Sequence, residues 1–325
     1  MPGEGKPSLN ALALPLVERL EPEAERLRAH VIRMPSGATV VDMGVEAPGG
    51  LEAGLRLVEI CMGGLGRASL SWLSIGGLVL PAVSVFTDAP ALATLGAQMA
   101  GWKLELSGRI VLGSGPARAL VRKPKRIYRA LGHEEEPSAI AILALEADEL
   151  PDDAFLRSVA ELCGIGPGGL HVLVASLRSP AGVIQVVGRA VEACLLKLLN
   201  LDIDVLSVRS ALGLTPLPPP HPAPDVCMGR VNDAILYGSI VHLWADVDDD
   251  TAKLMAEKAP SCTSSAYGKP FLAIYEEAGR DFYAIDPAIF APAQVVVSSL
   301  KSGRSYVAGE LNEELVASSF GISIS

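Results

Sequence analysis

Between residues 181 and 199 the chain is apolar nearly all the way round a helix. Val183, Ile184, Val186, Val187, Val191, Leu195, Leu196 and Leu198 leave no face for solvent. A helix of that kind belongs in an interior, so other elements must enclose it. Gln185, Arg189 and Glu192 interrupt it at i, i+4 and i+7, and so share one side. Polar groups on an apolar rod need either partners or a cavity to face. A buried ion pair adds little stability by itself, which points toward chemistry at this stripe. The i, i+3 spacing of Arg189 and Glu192 also suits an internal pair with a structural role. The residues alone leave both readings open.

What encloses such a helix can be read from the surrounding pattern. A chain of 325 residues is long for one core and suits two domains. We expect an α+β fold of two mixed α/β domains with a pocket between them. The first domain is placed at 1–137 and the second, holding the long helix, at 138–325. Apolar strand at 139–146, capped helix at 152–163, strand at 170–175 and helix at 181–199 predict a parallel crossover. Residues 8–30 read as one helix, followed by strands at 31–33 and 39–43 and a helix at 51–62. The uncharged run 68–87 has the length of a membrane span, but Gly76-Gly77 and Pro81 make it two strands around a turn. A helix at 89–100 and strands at 103–106 and 109–112 follow. The proline-rich stretch 215–225 excludes helix and central strand and predicts a stiff extended connection. Beyond it the pattern gives strands at 239–245, 294–300 and 305–309, helices at 251–258 and 270–278, and a last helix from Asn312.

Bulk composition removes some function classes. The formal charge of −10 argues against nucleic acid and anionic lipid as partners. Five cysteines, an odd number with no C-x-x-C, fit a reducing cytoplasmic setting rather than a disulfide framework. The five histidines lack metal-site spacing, and no G-x-S-x-G elbow is present. We therefore expect no metal.

Three further features could carry chemistry. Gly113-Ser-Gly-Pro-Ala-Arg118 follows a strand and opens a helix, and a glycine turn there can hold an anion on its N–H groups. It matches neither the dinucleotide nor the phosphate-loop pattern, so Ser114 and Arg118 are candidates for a different anion. Arg118, Arg122, Lys125, Arg126 and Arg129 recur at roughly helical spacing, with Pro124 breaking the helix; a solvated basic face fits them as well. Asn232-Asp-Ala-Ile-Leu-Tyr-Gly238 places Asn232, Asp233 and Tyr237 just before an apolar strand, where amide, carboxylate and phenol suit the edge of a heterocycle.

Six strings also occur together and in order: GSGPAR at 113–118, ALEADELP at 144–151, A-G-x-x-Q-x-x-x-R-x-x-E at 181–192, NDAILYG at 232–238, YGKPF at 267–271 and DFYAIDP-x-IFAPA at 281–293. On these strings the chain resembles the methenyltetrahydromethanopterin cyclohydrolase family of methanogenic archaea and methylotrophic bacteria. Leu177-Arg178-Ser179, just before the long helix, departs from the small polar residues the pattern leads one to expect. The resemblance implies a cofactor-independent hydrolase of one-carbon metabolism, whose substrate is the pterin and whose subunits form a homotrimer. It serves formaldehyde oxidation or methanogenesis. It implies Arg189 and Glu192 as the catalytic pair. From the residues themselves we expect Gln185, Ser114, Arg118, Asn232, Asp233, Tyr237 and Lys269 around the substrate, the basic patch toward an anionic tail and Asn232, Asp233 and Tyr237 toward the pterin edge. The alternatives are a noncatalytic pterin-binding protein of the same fold, or an unrelated nucleotide- or anion-binding α/β enzyme.

Overall fold

The computed structural model describes residues 8–135 and 137–322. In chain order the elements are α1 (Leu9–Glu18), α2 (Leu20–Leu27), β1 (His30–Arg33), β2 (Thr39–Asp42), α3 (Leu51–Cys61), β3 (Gly66–Ile75), β4 (Leu78–Thr87), β5 (Trp102–Leu106), β6 (Arg109–Ser114), α4 (Ala117–Val121) and α5 (Lys125–Leu131). Then come β7 (Ala141–Glu146), α6 (Asp153–Cys163), β8 (Leu170–Ala175), α7 (Pro180–Val187), α8 (Ala190–Asn200), β9 (Val208–Pro216), α9 (Pro224–Gly238), β10 (Ile240–Ala245), α10 (Asp249–Lys258), α11 (Phe271–Glu277), β11 (Gln294–Ser299), β12 (Ser305–Gly309) and α12 (Glu313–Phe320). Ala91–Gln98 is a wide π-helical segment. The fold is α+β in two compact units, one of residues 1–67 and 92–185, the other of 68–91 and 186–325.

That division differs from a cut at residue 137, and strand pairing is the reason. β7 and β8 cannot leave the first unit, because β8 pairs in parallel with β2 and β7 pairs with β6. The β3–β4 hairpin goes to the second unit because β4 pairs antiparallel with β9, from Ala82 opposite Pro216 to Thr87 opposite Ala211. The uncharged run 68–87 thus lies in a hairpin, and no helix of the described residues is long and apolar enough to cross a membrane.

The first unit holds a six-stranded sheet in the order β1-β2-β8-β7-β6-β5. Its central strands are apolar on both sides, as strands covered on both faces must be. Val41, Ile142 and Leu173 pack with Ala13, Leu20 and Leu57 of α1, α2 and α3. On the opposite face Val40, Leu143 and Val172 pack with Leu156 and Val159 of α6. The strand–helix–strand passage β7-α6-β8 is the parallel crossover the pattern predicts. Helix 8–30 is instead two helices, with Arg19 between them.

The second unit holds a sheet in the order β12-β11-β10-β9-β4-β3. α8 lies against β9, where Gly213 is required: a Cβ there would sit 2.9 Å from Val191 Cγ2. The proline-rich stretch does not exclude regular structure at its ends: Thr215 and Pro216 close the central strand β9, and Pro224 and Asp225 open α9, with proline in the first turn. β9 and α9 were not expected from the sequence. NDAILYG is the C-terminal half of α9 and stands directly before strand β10, as expected.

Candidate active site

The apolar rod is not one helix. α7 ends at Val187 and α8 starts at Ala190, and Gly188-Arg189 forms a turn between them. Glycine is a poor helix former, and here Arg189 leaves the helical region, at φ −103° and ψ 8°. Its N–H bonds Val186 O, three residues back, while Ala193 N–H bonds Arg189 O and starts the next helix. The boundary between the two units falls inside α7, after Gln185.

The break brings Arg189 onto Glu192. Arg189 Nη1 donates to Glu192 Oε2 at 3.0 Å, and the side chains are 12% and 11% exposed. Those values decide the character of the pair: it is largely withdrawn from water but not sealed. Glu192 lies in the first turn of α8, where the unpaired N–H groups of a helix attract negative charge. The other ionisable groups of α8 are committed elsewhere. Lys197 Nζ donates to Pro260 O (2.7 Å), Ala288 O (2.8 Å) and Thr263 Oγ1 (2.6 Å), and burial pulls its pKa down to about 8. The Cys194 thiol is fully buried and pushed up to about 12, so it is not a nucleophile.

Gln185, on the preceding helix, belongs to the first unit and finds its partner within it. Its Nε2 donates to Glu146 Oε2 at 3.2 Å, at the end of β7. Glu146 was not among the residues expected at the site, although it stands within the string ALEADELP. Its signal was a carboxylate ending an apolar strand at the carboxyl edge of a parallel pair, where α/β proteins place ligands.

Ser114 and Arg118 are placed deep inside the first unit. Ser114 Oγ donates to Gln98 O at 2.7 Å. Gly115, at φ +91°, needs glycine, since a Cβ there would also press Ile142 O at 3.1 Å. Its N–H bonds Ala97 O, and Arg118 and Ala119 N–H turn back to Gly115 O and Pro116 O. These N–H groups of the turn are therefore spent on the chain itself. The Arg118 side chain has no exposed surface; its guanidinium donates to Leu95 O, Ala97 O and Lys123 O and lies over the Tyr128 ring. Its visible work is to satisfy carbonyls of the π-helical segment, together with Tyr128 Oη on Gly96 O. The remaining basic residues do not share one helix. α4 ends before Pro124 and α5 begins after it, leaving Arg122, Lys125, Arg126 and Arg129 in solvent.

In the second unit Asp233 and Tyr237 clamp the 264–271 segment, which carries Lys269, whereas Asn232 bonds within its own helix. Asp233 accepts from Phe271 N–H and Ser319 Oγ, both at 2.7 Å. Burial pushes its carboxyl up to about 6, against the pull of those two donors. Tyr237 Oη donates to Lys269 O and accepts from Gly268 N–H. Asn232 Nδ2 donates to Met228 O, and Lys269 Nζ pairs with Glu277 at the surface.

Comparison with known proteins follows the same residues. The family model described as Cyclohydrolase (MCH) matches residues 8–320. The chain belongs to this cyclohydrolase family. It is 41% identical over 315 residues to a methenyltetrahydromethanopterin cyclohydrolase of Methanocella arvoryzae, covering 97% of this chain and 98% of the relative. It is also 41% identical over 322 residues to the protein so named in Methanothermobacter marburgensis, covering 97% and 99%. Over 317 residues it is 41% identical to the one in Methylobacillus flagellatus, covering 98% and 96%. Family membership thus rests on almost the whole of both units rather than on the six strings alone.

Proposed function

We propose that the chain is a methenyltetrahydromethanopterin cyclohydrolase, which reversibly hydrolyses the 5,10-methenyl pterin to the 5-formyl pterin. The observation that carries the reading is the Arg189–Glu192 pair at the break between α7 and α8, held at 3.0 Å and open to solvent by about a tenth of each side chain. Relatives named for this reaction cover nearly the full chain.

The methenyl carbon lies between two nitrogens that share one positive charge, so it is already electrophilic. Glu192 takes a proton from water as the oxygen attacks that carbon. The tetrahedral carbinolamine then breaks one C–N bond: its hydroxyl proton is released to solvent as the formyl C=O forms, and the departing nitrogen takes the proton held by Glu192. One carboxylate serves first as base and then as acid. Arg189 orients that carboxylate and offsets its charge. Gln185, Asn232, Asp233, Tyr237 and Lys269 are proposed to border the substrate, Asp233 and Tyr237 by shaping the 264–271 segment. For Ser114 and Arg118 an indirect role is proposed, through the turn they pack. No cofactor and no metal is required by this sequence of steps. A homotrimer working in the cytoplasm, in either formaldehyde oxidation or methanogenesis, completes the reading.

The test is spectroscopic. Mixing purified protein with methenyltetrahydromethanopterin should bleach the methenyl chromophore catalytically. Stoichiometric binding without bleaching would instead make it a pterin-binding protein.

A further inference from the structure

The chain segregates its charge. Residues 101–133 hold eight Lys or Arg and one acid, Glu105, in a chain whose formal charge is −10. Five of those cations, Arg122, Lys123, Lys125, Arg126 and Arg129, fall at the end of α4 and along α5, and all five are exposed. Arg122 meets Glu134 at 3.4 Å, and the other four form no ion pair among the described residues. Exposed arginines elsewhere do find carboxylates: Arg33 on Glu21, Arg157 on Asp153, Arg209 on Asp246, Arg280 on Asp225 and Arg304 on Asp249.

The placement also runs against helix electrostatics. Lys125 and Arg126 occupy the first turn of α5, which contains no acid. That end of a helix carries partial positive charge, so cations there are disfavoured. Lys125 and Arg129 stand at i, i+4, where like charges repel. Two local rules are broken with no internal ion pair to offset them, which marks a surface kept for something other than stability. The frame beneath the cations is nevertheless firm. Arg118 Nε donates to Lys123 O at 2.9 Å and Tyr128 Oη to Gly96 O at 2.7 Å, and Ile127, Tyr128 and Leu131 are buried. The backbone that presents the charges is therefore ordered in advance, and binding has less freedom to remove.

We propose that this basic turn is the docking surface for a carboxylate-rich segment of another protein. Charge, number and extent select that partner. The cations call for an anionic surface. Five of them exceed what a single phosphate or carboxylate on a small molecule can engage. The helix that carries three of them has seven residues, a length of ~10 Å, close to the screening length of ~8 Å at physiological salt. A nucleic acid or an anionic membrane extends well beyond that distance and meets a chain that is acidic outside the patch. A run of a few Asp or Glu stays within it, and the arginines can take carboxylates on two N–H groups at once.

The test is fluorescence anisotropy of the full chain with a labelled octaglutamate peptide, beside octaglutamine and a single-stranded DNA octamer. Octaglutamate should bind saturably at low salt, weaken as salt rises, and bind better than either comparison. Lys125→Glu/Arg126→Glu should weaken it at least about tenfold, and Arg129→Glu about threefold. Arg209→Glu, in the second unit, should leave it unchanged. The double variant should melt above wild type, because acids then stand in the first turn of α5. Its KM for the methenyl pterin should not move. Absence of octaglutamate binding, or binding that survives the reversals, overturns the proposal. DNA that binds more tightly than the peptide overturns it in favour of nucleic acid, and a raised KM overturns it in favour of the substrate's own tail. A double variant that melts below wild type shows no cost in the native cations and overturns it as well. Anisotropy needs no turnover, so these binding results stand apart from the bleaching assay and from the cyclohydrolase reading.

Discussion

Arg189 reaches Glu192 from a turn between two helices, Nη1 to Oε2 at 3.0 Å, and not along the side of one continuous helix. Because Arg189 sits outside helical geometry, its guanidinium is fixed from the turn while Glu192 is fixed by α8.

The first prediction concerns that pair. Glu192→Gln keeps the shape and the hydrogen-bonding oxygen but cannot accept the water proton. Its kcat should drop by ~10²–10⁴-fold, the usual contribution of general base catalysis, with unfolding temperature nearly unchanged. Stopped-flow bleaching of the methenyl chromophore measures it. Turnover close to wild type would remove the carboxylate from its role.

A second prediction follows from Asp233. Its folded pKa of about 6 lies above the ordinary value of 3.8 because burial disfavours the charged form. The folded protein therefore binds a proton between about pH 4 and 6 that the unfolded chain has released. This group's stability contribution is full below its unfolded value and is lost as pH rises through about 6. The amplitude is of order 2–3 kcal/mol, at 1.36 kcal/mol per unit. Asp233→Asn should abolish that component, so urea midpoints of variant and wild type should diverge with pH across this window and run parallel above it.

Glu135 gives the opposite sign. Burial would raise its pKa, but hydrogen bonds from His133, Leu9 N–H, Ser8 and Asn10 more than offset this and hold it below the usual value. Its contribution is present above about 4.5, the unfolded value, and is lost as pH falls through the lower folded value. Since these bonds anchor the start of α1, Glu135→Gln should cost roughly 2–4 kcal/mol near neutrality. Amide exchange in residues 9–18 should rise first. Unchanged protection there would refute the anchor.

The fourth prediction is structural. Lys197→Met strips the donor from two buried carbonyls, Pro260 O and Ala288 O, and from Thr263 Oγ1. Each stranded carbonyl costs about 1–3 kcal/mol, partly offset by removing a buried ammonium. A net loss of roughly 2 kcal/mol is expected from thermal melts.

Much of the architecture could be read from periodicity, because buried strands and capped helices carry it locally. The strands 170–175 and 305–309 fall where the pattern puts them, and the Arg189–Glu192 pair was visible as polar residues on an apolar rod. What stayed hidden depends on long-range pairing or on one residue's backbone. The sequence gives no sign that β4 waits for β9, more than a hundred residues on. Gly188 was read as one more residue of a continuous helix, though it ends α7. Arg118 looked like an anion ligand because its partners are main-chain carbonyls of a π-helical segment, which leave no mark in residue types. Glu146 escaped because its partner, Gln185, lies 39 positions away.

The hairpin of residues 68–87 has a consequence for biosynthesis. It leaves the ribosome early, yet the strand it must join, β9, begins only at Val208. Until then the hairpin of two long strands presents the β4 edge that will receive β9 without its partner. No single cut can excise either unit intact, and a nascent chain stalled before residue 208 is the species most exposed to aggregation and to chaperone capture.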